Sequence, residues 1–262
     1  MQRRVLRSIF IMWCIAVLAL LFLLPDTPHA SMVAMWTFDE DEGAEVSDLS
    51  GNNHHGVVNG GVEWTDGGKF GGALSFNGID GWVEVPSYTS SPEMTVMAWV
   101  YIDNLDGKRS IVEKYDWVAG KGSFLLRAYT DATARITRIY GAQSLPFAVS
   151  PSIVKTQEWI HLAGTIDRES ITLYMNGEEV GADKMPDSDG ILASDATLVL
   201  GTIGDNHNNN WFAGFMDEVA IFDEAVSEGV IERIVKFGLQ GYLAVRPGDK
   251  LPVTWGIIKS NL

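Results

Sequence analysis

A single cysteine is all the sequence holds, and Cys14 sits inside an N-terminal apolar run. Downstream of it a disulfide, a cysteine zinc site and a cysteine nucleophile are therefore excluded. Long apolar stretches are scarce too. The longest, Ile9 to Leu24, has 16 residues, short of the roughly 20 that a spanning helix needs. Positive charge is in short supply: 19 lysines and arginines face 34 acidic residues, a net −15. That balance argues against nucleic acid and anionic membrane surfaces as partners. Catalytic signatures are missing as well. Neither a Gly-x-Ser-x-Gly elbow nor a glycine-rich phosphate loop occurs, and both chemistries depend on those backbone turns. The histidines (His29, His54, His55, His161, His207) show no metal-ligand spacing beyond the adjacent His54–His55.

What is present begins with a leader. Arg3, Arg4 and Arg7 precede the apolar run, and Pro25 to Ala30 then break it before a small residue. This is the layout of a secretory signal peptide, with cleavage expected at Ala30–Ser31. Pro28 departs from the usual small-x-small pattern, so an uncleaved N-terminal anchor is the alternative. Either way the chain is expected outside the cytoplasm: secreted, periplasmic or at the cell surface. Setting residues 1–30 aside removes Arg3, Arg4, Arg7 and Asp26 and leaves 16 basic and 33 acidic residues.

The whole sequence is 46% hydrophobic, with 27 Gly and 9 Trp. Tight turns and large core side chains suit an all-β protein, and the length suits one core. Short apolar stretches at 35–38, 56–59, 73–76, 82–85, 94–101, 110–115, 123–129, 159–167, 170–175, 196–201 and 214–222 read as strands. Trp82-Val-Glu-Val85 alternates with period two, whereas Thr95–Val100 is a continuous run expected of a strand covered on both faces. Asn176-Gly177 is a hairpin signal, because both residues tolerate positive φ. One helix is expected late, with Ser227 as N-cap, an apolar stripe from Val230 to Phe237, and Gly238 as C-cap. The organisation is thus a leader over 1–30, one domain over 31–241, and a tail over 242–262 that is extended and either packed on the domain or tethered to it.

Five blocks, in order, resemble a known family. They are Trp36-Thr-Phe-Asp-Glu-Asp-Glu-Gly43; Asp48-Leu-Ser-Gly-Asn-Asn-His-His-Gly56; and Gly72-Ala-Leu-Ser-Phe-Asn-Gly78 with Trp82-Val-Glu-Val-Pro86. Thr95–Val100, Trp159–Ala163 and Leu173–Gly177 form the fourth, and Gly214–Phe222 the last. The chain resembles the laminin-G-like jelly rolls of the concanavalin A-like lectin/glucanase superfamily over about residues 33–240. The resemblance implies a two-sheet antiparallel jelly-roll sandwich with one short C-terminal helix. It also implies a structural Ca²⁺, held by Asp48, Asn53 and Asp217 with Asp39 as a fourth ligand. The plainer reading is that Asp48 and Asn52 cap an Asx-type turn. The superfamily's glucanases carry Glu-x-Asp-x-x-Glu on one strand, and that pattern is absent here.

Other candidates come from the residues themselves. Trp99 and Trp159 lie on apolar strands and are expected to fill the core between the sheets, and His161 reads as a satisfied core histidine. Trp117 and Trp211 lie in polar, glycine-rich surroundings and are candidates for ligand contact. The loop with Asp205, Asn206 and Asn208 either lines a carbohydrate or cation site or is a solvated hairpin loop; Asp187 and Asp189 carry the same ambiguity. Glu113 and Asp116 are the nearest strand-end carboxylates, without the third partner a glycosidase of this type uses. The expectation is a non-catalytic binding or adhesion module that recognises a glycan or an extracellular protein through rim loops. A structural or assembly protein of the cell surface is the alternative, with a polysaccharide hydrolase behind it.

Overall fold

The computed structural model describes residues 31–116, 121–140, 143–185, 194–203 and 210–244. The leader over 1–30 and the tail beyond residue 244 lie outside the described residues. The chain opens with β1 (Met32–Trp36), β2 (Glu45–Val46), β3 (Gly56–Asn59), β4 (Val62–Thr65), β5 (Ala73–Asn77) and β6 (Trp82–Val85). Next come β7 (Met94–Ile102), β8 (Arg109–Asp116), β9 (Lys121–Ala128), β10 (Ala134–Tyr140) and β11 (Gln143–Val149). The series ends with β12 (Trp159–Ile166), β13 (Ser170–Met175), β14 (Glu178–Lys184), β15 (Leu198–Leu200), β16 (Ala213–Phe222) and the helix α1 (Glu228–Ala244).

These strands form two antiparallel sheets packed as a sandwich. The first runs β14-β13-β12-β7-β16-β5-β4, with β1 also pairing to β16; the second runs β11-β10-β9-β8-β15-β6-β3-β2. Leu74, Phe76, Val100, Phe124, Leu126 and Phe212 are among the side chains sealed between them. Each such side chain contributes about 1.5–3 kcal/mol by leaving water. In β6 the alternation reads as expected, with Val83 and Val85 buried and Glu84 exposed. The β13–β14 hairpin turns at Asn176 (φ 54) and Gly177 (φ 95), and the Asn176 side chain also accepts the His161 amide at 2.9 Å.

Two tryptophans are not where the sequence pattern puts them. Ala98 and Val100 belong to the inter-sheet core, so strand alternation turns Trp99 to the outer face of the first sheet. There it is buried under Phe70, the two rings 6.3 Å apart. Trp159 faces outward as well and is only half-buried.

The helix follows its expected start and overruns its expected end. The Ser227 carbonyl accepts the amides of Val230 (2.9 Å) and Ile231 (3.2 Å). Gly238 breaks the helical path at φ 71 and ψ 172, yet the helix resumes and carries past Gly241 to Ala244. Burial of Leu239 and Tyr242 explains the continuation. α1 lies over the outer face of the first sheet and meets β16 and β14. At the side of the sandwich, β14 of one sheet and β11 of the other come together. A Cβ on Gly181 would stand 2.2 Å from the Val149 carbonyl oxygen, so only glycine fits that approach.

Candidate functional site

The loop after β2 is built around one carboxylate. Asp48 is buried, and its Oδ1 accepts the amides of Met35 (3.0 Å) and Ser50 (2.8 Å). Oδ2 accepts the His54 amide (2.9 Å) and the Ser50 hydroxyl (2.8 Å). Burial alone would raise the Asp48 pKa, but the hydrogen bonds from His54, Ser50 and Met35 outweigh it and the net shift is downward. Asn53 is exposed with φ 62 and shapes the turn. Asn52 ties the loop to β1 through the carbonyls of Met32 (2.8 Å) and Val33 (3.0 Å).

Asp217 and Asp39 sit elsewhere. Asp217 lies on the outer face of β16, fully buried, and its Oδ2 accepts the Phe70 amide at 2.8 Å. Among the described residues its Oδ1 takes no hydrogen bond of ordinary geometry. Burial pushes Asp217 up to about 8, with the Glu218 charge adding to the shift and the Phe70, Glu218 and Lys69 amides opposing it. Asp39 is exposed; its carboxylate accepts the Gly72 amide (2.8 Å) and the Gln240 side-chain amide (3.3 Å). Among the described residues no group of three or more His, Cys, Asp or Glu is placed to hold a metal ion. The turn reading accounts for the four hydrogen bonds to Asp48, while the amides of Phe70, Gly72 and Gln240 engage Asp217 and Asp39. Thermal unfolding after chelation and again with millimolar calcium is expected to give the same midpoint. A native-state ligand at a hundred times its Kd would add about 2.7 kcal/mol and raise the midpoint by several degrees; such a rise, reversed by Asp48→Asn, would restore the cation.

The rim of the sandwich holds the other candidates. Trp211, just before β16, is half-buried and packs against Trp82 at the start of β6, ring centroids 6.0 Å apart. The turn between β5 and β6 is pinned beside them. Asn77 Oδ1 accepts the amides of Ile79 (2.9 Å) and Asp80 (3.1 Å), and Asn77 Nδ2 donates to Asp80 at 2.8 Å. Gly78 (φ 73) turns against Ala213, where a Cβ would approach to 2.7 Å. At the same end, register places Trp159, Tyr101 and Phe215 side by side on β12, β7 and β16. Their neighbouring rings stand 6.0 and 5.5 Å apart, and all three are half-buried. Trp82 was not singled out from sequence because its strand reads as a plain core alternation; its place directly after the Asn77–Gly81 turn was the available signal. Trp117, Asp205, Asn206 and Asn208, like Asp187 and Asp189, lie outside the described residues.

The carboxylate nominated for hydrolysis is already engaged. Glu113 is fully buried on β8, and Arg127 of β9 grips it with Nε to Oε1 at 2.5 Å and Nη2 to Oε2 at 2.7 Å. Burial lowers the Arg127 pKa, but the charge and hydrogen bonds of Glu113 outweigh it and hold the guanidinium above its usual value. His161 is buried as expected yet not satisfied. Among the described residues neither ring nitrogen finds a hydrogen-bond partner, the ring packs on Trp99 at 5.4 Å, and burial brings its pKa down to about 3.

A laminin-G-type family model, described as concanavalin A-like lectin/glucanases superfamily, matches residues 77–232. No curated protein matches the sequence. Among solved structures, the chain is similar to domain 4 of AbnA, a GH43 extracellular arabinanase from Geobacillus stearothermophilus, in complex with arabinotriose. That match has 20% identity and a TM-score of 0.61 and covers 79% of this chain and 98% of that one. It is also similar to the binding domain of Paraclostridial Mosquitocidal Protein 1, at 18% identity and TM-score 0.63 over 78% of this chain and 52% of the other. The binding domain of botulinum neurotoxin DC, in complex with SialylT, gives 16% identity and TM-score 0.62 over 79% of this chain and 51% of the other. The chain therefore spans about half of each toxin domain. At these identities the likeness is one of fold.

Proposed function

The chain belongs to the concanavalin A-like lectin/glucanase superfamily, and from that premise we propose that it is an exported, non-catalytic module that binds a glycan through the sandwich rim. The observation that carries this reading is the half-buried Trp82–Trp211 pair beside the rigid Asn77–Gly81 turn. Tryptophan presents a large apolar face at low entropic cost, and loops held by a rigid scaffold are where binding residues gather. The similar solved structures support it, since each is a binding domain or was solved with a saccharide. Non-catalytic action fits the engagement of Glu113 by Arg127, which occupies both oxygens of that carboxylate.

A glycan array probed with residues 31–262 tests the proposal. Signal above background is expected, and Trp211→Ala should weaken binding about thirtyfold, the effect of deleting a central aromatic anchor worth about 2 kcal/mol. An array silent for both proteins would sink the glycan reading. The half-buried row of Trp159, Tyr101 and Phe215 then favours the second reading, docking of a cell-surface protein, because a flat aromatic row on a sheet suits an interface core.

A further inference from the structure

Next to Asp217 the β16 strand bulges. Its register to β7 slips between Asp217 and Ala220, and Glu218 takes φ 52. The bulge lets two consecutive acids reach partners on the same outer face. Glu218 is 2% exposed, and its Oε2 accepts the Leu239 amide that the break at Gly238 frees from the helical ladder. Among the described residues no further hydrogen bond and no ion pair reaches the Glu218 carboxylate. Burial raises Glu218 to about 7, and the charge of Asp39 adds to the shift.

Glu218 and Asp39 face one cavity of about 210 Å³, whose other walls are Phe70, Phe237, Gln240 and the backbone at Gly71 and Gly238. The glycines keep it open. A Cβ on Gly238 would stand 3.0 Å from Glu218 Oε2 and 3.3 Å from the Phe70 ring, and one on Gly71 would stand 2.3 Å from Asp39 Oδ1. The lysines next in sequence to the two aromatic walls are held over rings: Lys69 over Trp99 at 4.4 Å and Lys236 over Phe237 at 5.0 Å. The Phe237 ring thus shows the affinity of an aromatic face for an ammonium group.

We infer that this cavity binds a small organic cation, an alkyl-substituted ammonium whose charge lies between Asp39 and Glu218 and whose carbons lie against Phe70 and Phe237. Carboxylates supply the charge, and aromatic faces favour ammonium over a bare metal ion, which wants a shell of oxygens. The chemistry is shared by free quaternary ammonium compounds and by lysine side chains of a partner protein. The site is independent of the glycan rim, so each proposal fails separately.

The test is a calorimetric and NMR titration of residues 31–262 with choline, with Nα-acetyl-lysine methylamide, and with sodium and calcium chloride. A Kd near 1 mM or tighter is expected for at least one ammonium probe, corresponding to roughly 4 kcal/mol, with shifts confined to residues around Phe70 and Phe237. The tighter of the two probes assigns the source. Glu218→Gln keeps an acceptor for the Leu239 amide, so it should fold normally and bind at least tenfold more weakly; Asp39→Asn should weaken binding several-fold. Trp211→Ala should leave ammonium binding unchanged. No saturation by either probe, equal shifts from the inorganic salts, or undiminished binding by a folded Glu218→Gln protein would overturn the inference.

Discussion

Replacing Glu113 with glutamine is expected to lower the unfolding free energy by about 3–5 kcal/mol, the largest effect of any single change considered. Glu113 and Arg127 are both buried and joined by two hydrogen bonds. Glutamine preserves the shape and one acceptor but removes the charge, which leaves a guanidinium in a low-dielectric site without compensation. Arginine cannot escape by losing its proton, so the whole desolvation penalty stays with the folded state. For a domain of this size the midpoint should fall by about 10 °C, at 2–4 °C per kcal/mol. Denaturant unfolding of the single variant and of Glu113→Leu/Arg127→Met together separates the causes. The double variant is expected to recover most of the loss, since an apolar pair of similar volume often replaces a buried ion pair at no cost. A single variant within 1 kcal/mol of the parent would mean that water reaches Arg127 on the outer face of the second sheet.

Raising the pH from 6.5 to 8 is expected to lower the unfolding free energy by about 2–3 kcal/mol. Asp217 is raised to about 8 and Glu218 to about 7, so the folded protein holds both protons more tightly than the unfolded chain does. Their contribution is complete below the ordinary carboxylate range and is lost as pH climbs through 7 and 8. Other buried groups act outside this window. His161, held at about 3, opposes the acids only below pH 6.5. Lys114, lowered to about 8 mainly by burial, opposes them only above pH 8. Asp217→Asn mimics the protonated carboxyl and should stabilise the protein at pH 8 while flattening the profile. Unfolding curves at four pH values decide the matter; a flat parent profile would show that solvent or a bound cation already compensates Asp217.

How much of this was written in the sequence depends on whether a pattern carried phase as well as period. Trp82–Val85 alternates, so both its strand character and its inward face were legible. Thr95–Val100 is apolar throughout; it announced a doubly covered strand but not which side Trp99 takes, because a continuous run has no phase. Glu178–Lys184 and Gln143–Val149 escaped notice as strands. The first is a polar edge whose exposed side chains carry no hydrophobic signal, and the second interrupts its apolar residues with Pro146. Asp48 was recognisable as a turn-former because Asx chemistry is local. The Asp39–Glu218 cavity was not, for three reasons. It requires a bulge that turns two successive residues to one side, a helix that restarts after Gly238, and a loop 33 residues from Asp39 that returns to donate the Gly72 amide. None of these leaves a short-range trace.

The meeting of Gly181 with Val149 has a bearing on how the protein survives at high concentration. Sheet edges are where one chain can add its strand to another, and natural proteins guard them. Here β14 and β11, each terminal in its own sheet, lie backbone against backbone too closely for any side chain at residue 181. The two vulnerable borders shield one another, and the acidic Glu178, Glu179 and Asp183 on β14 add like-charge repulsion between copies. Resistance to ordered aggregation along this flank is thus vested in a glycine whose merit is that nothing projects from it.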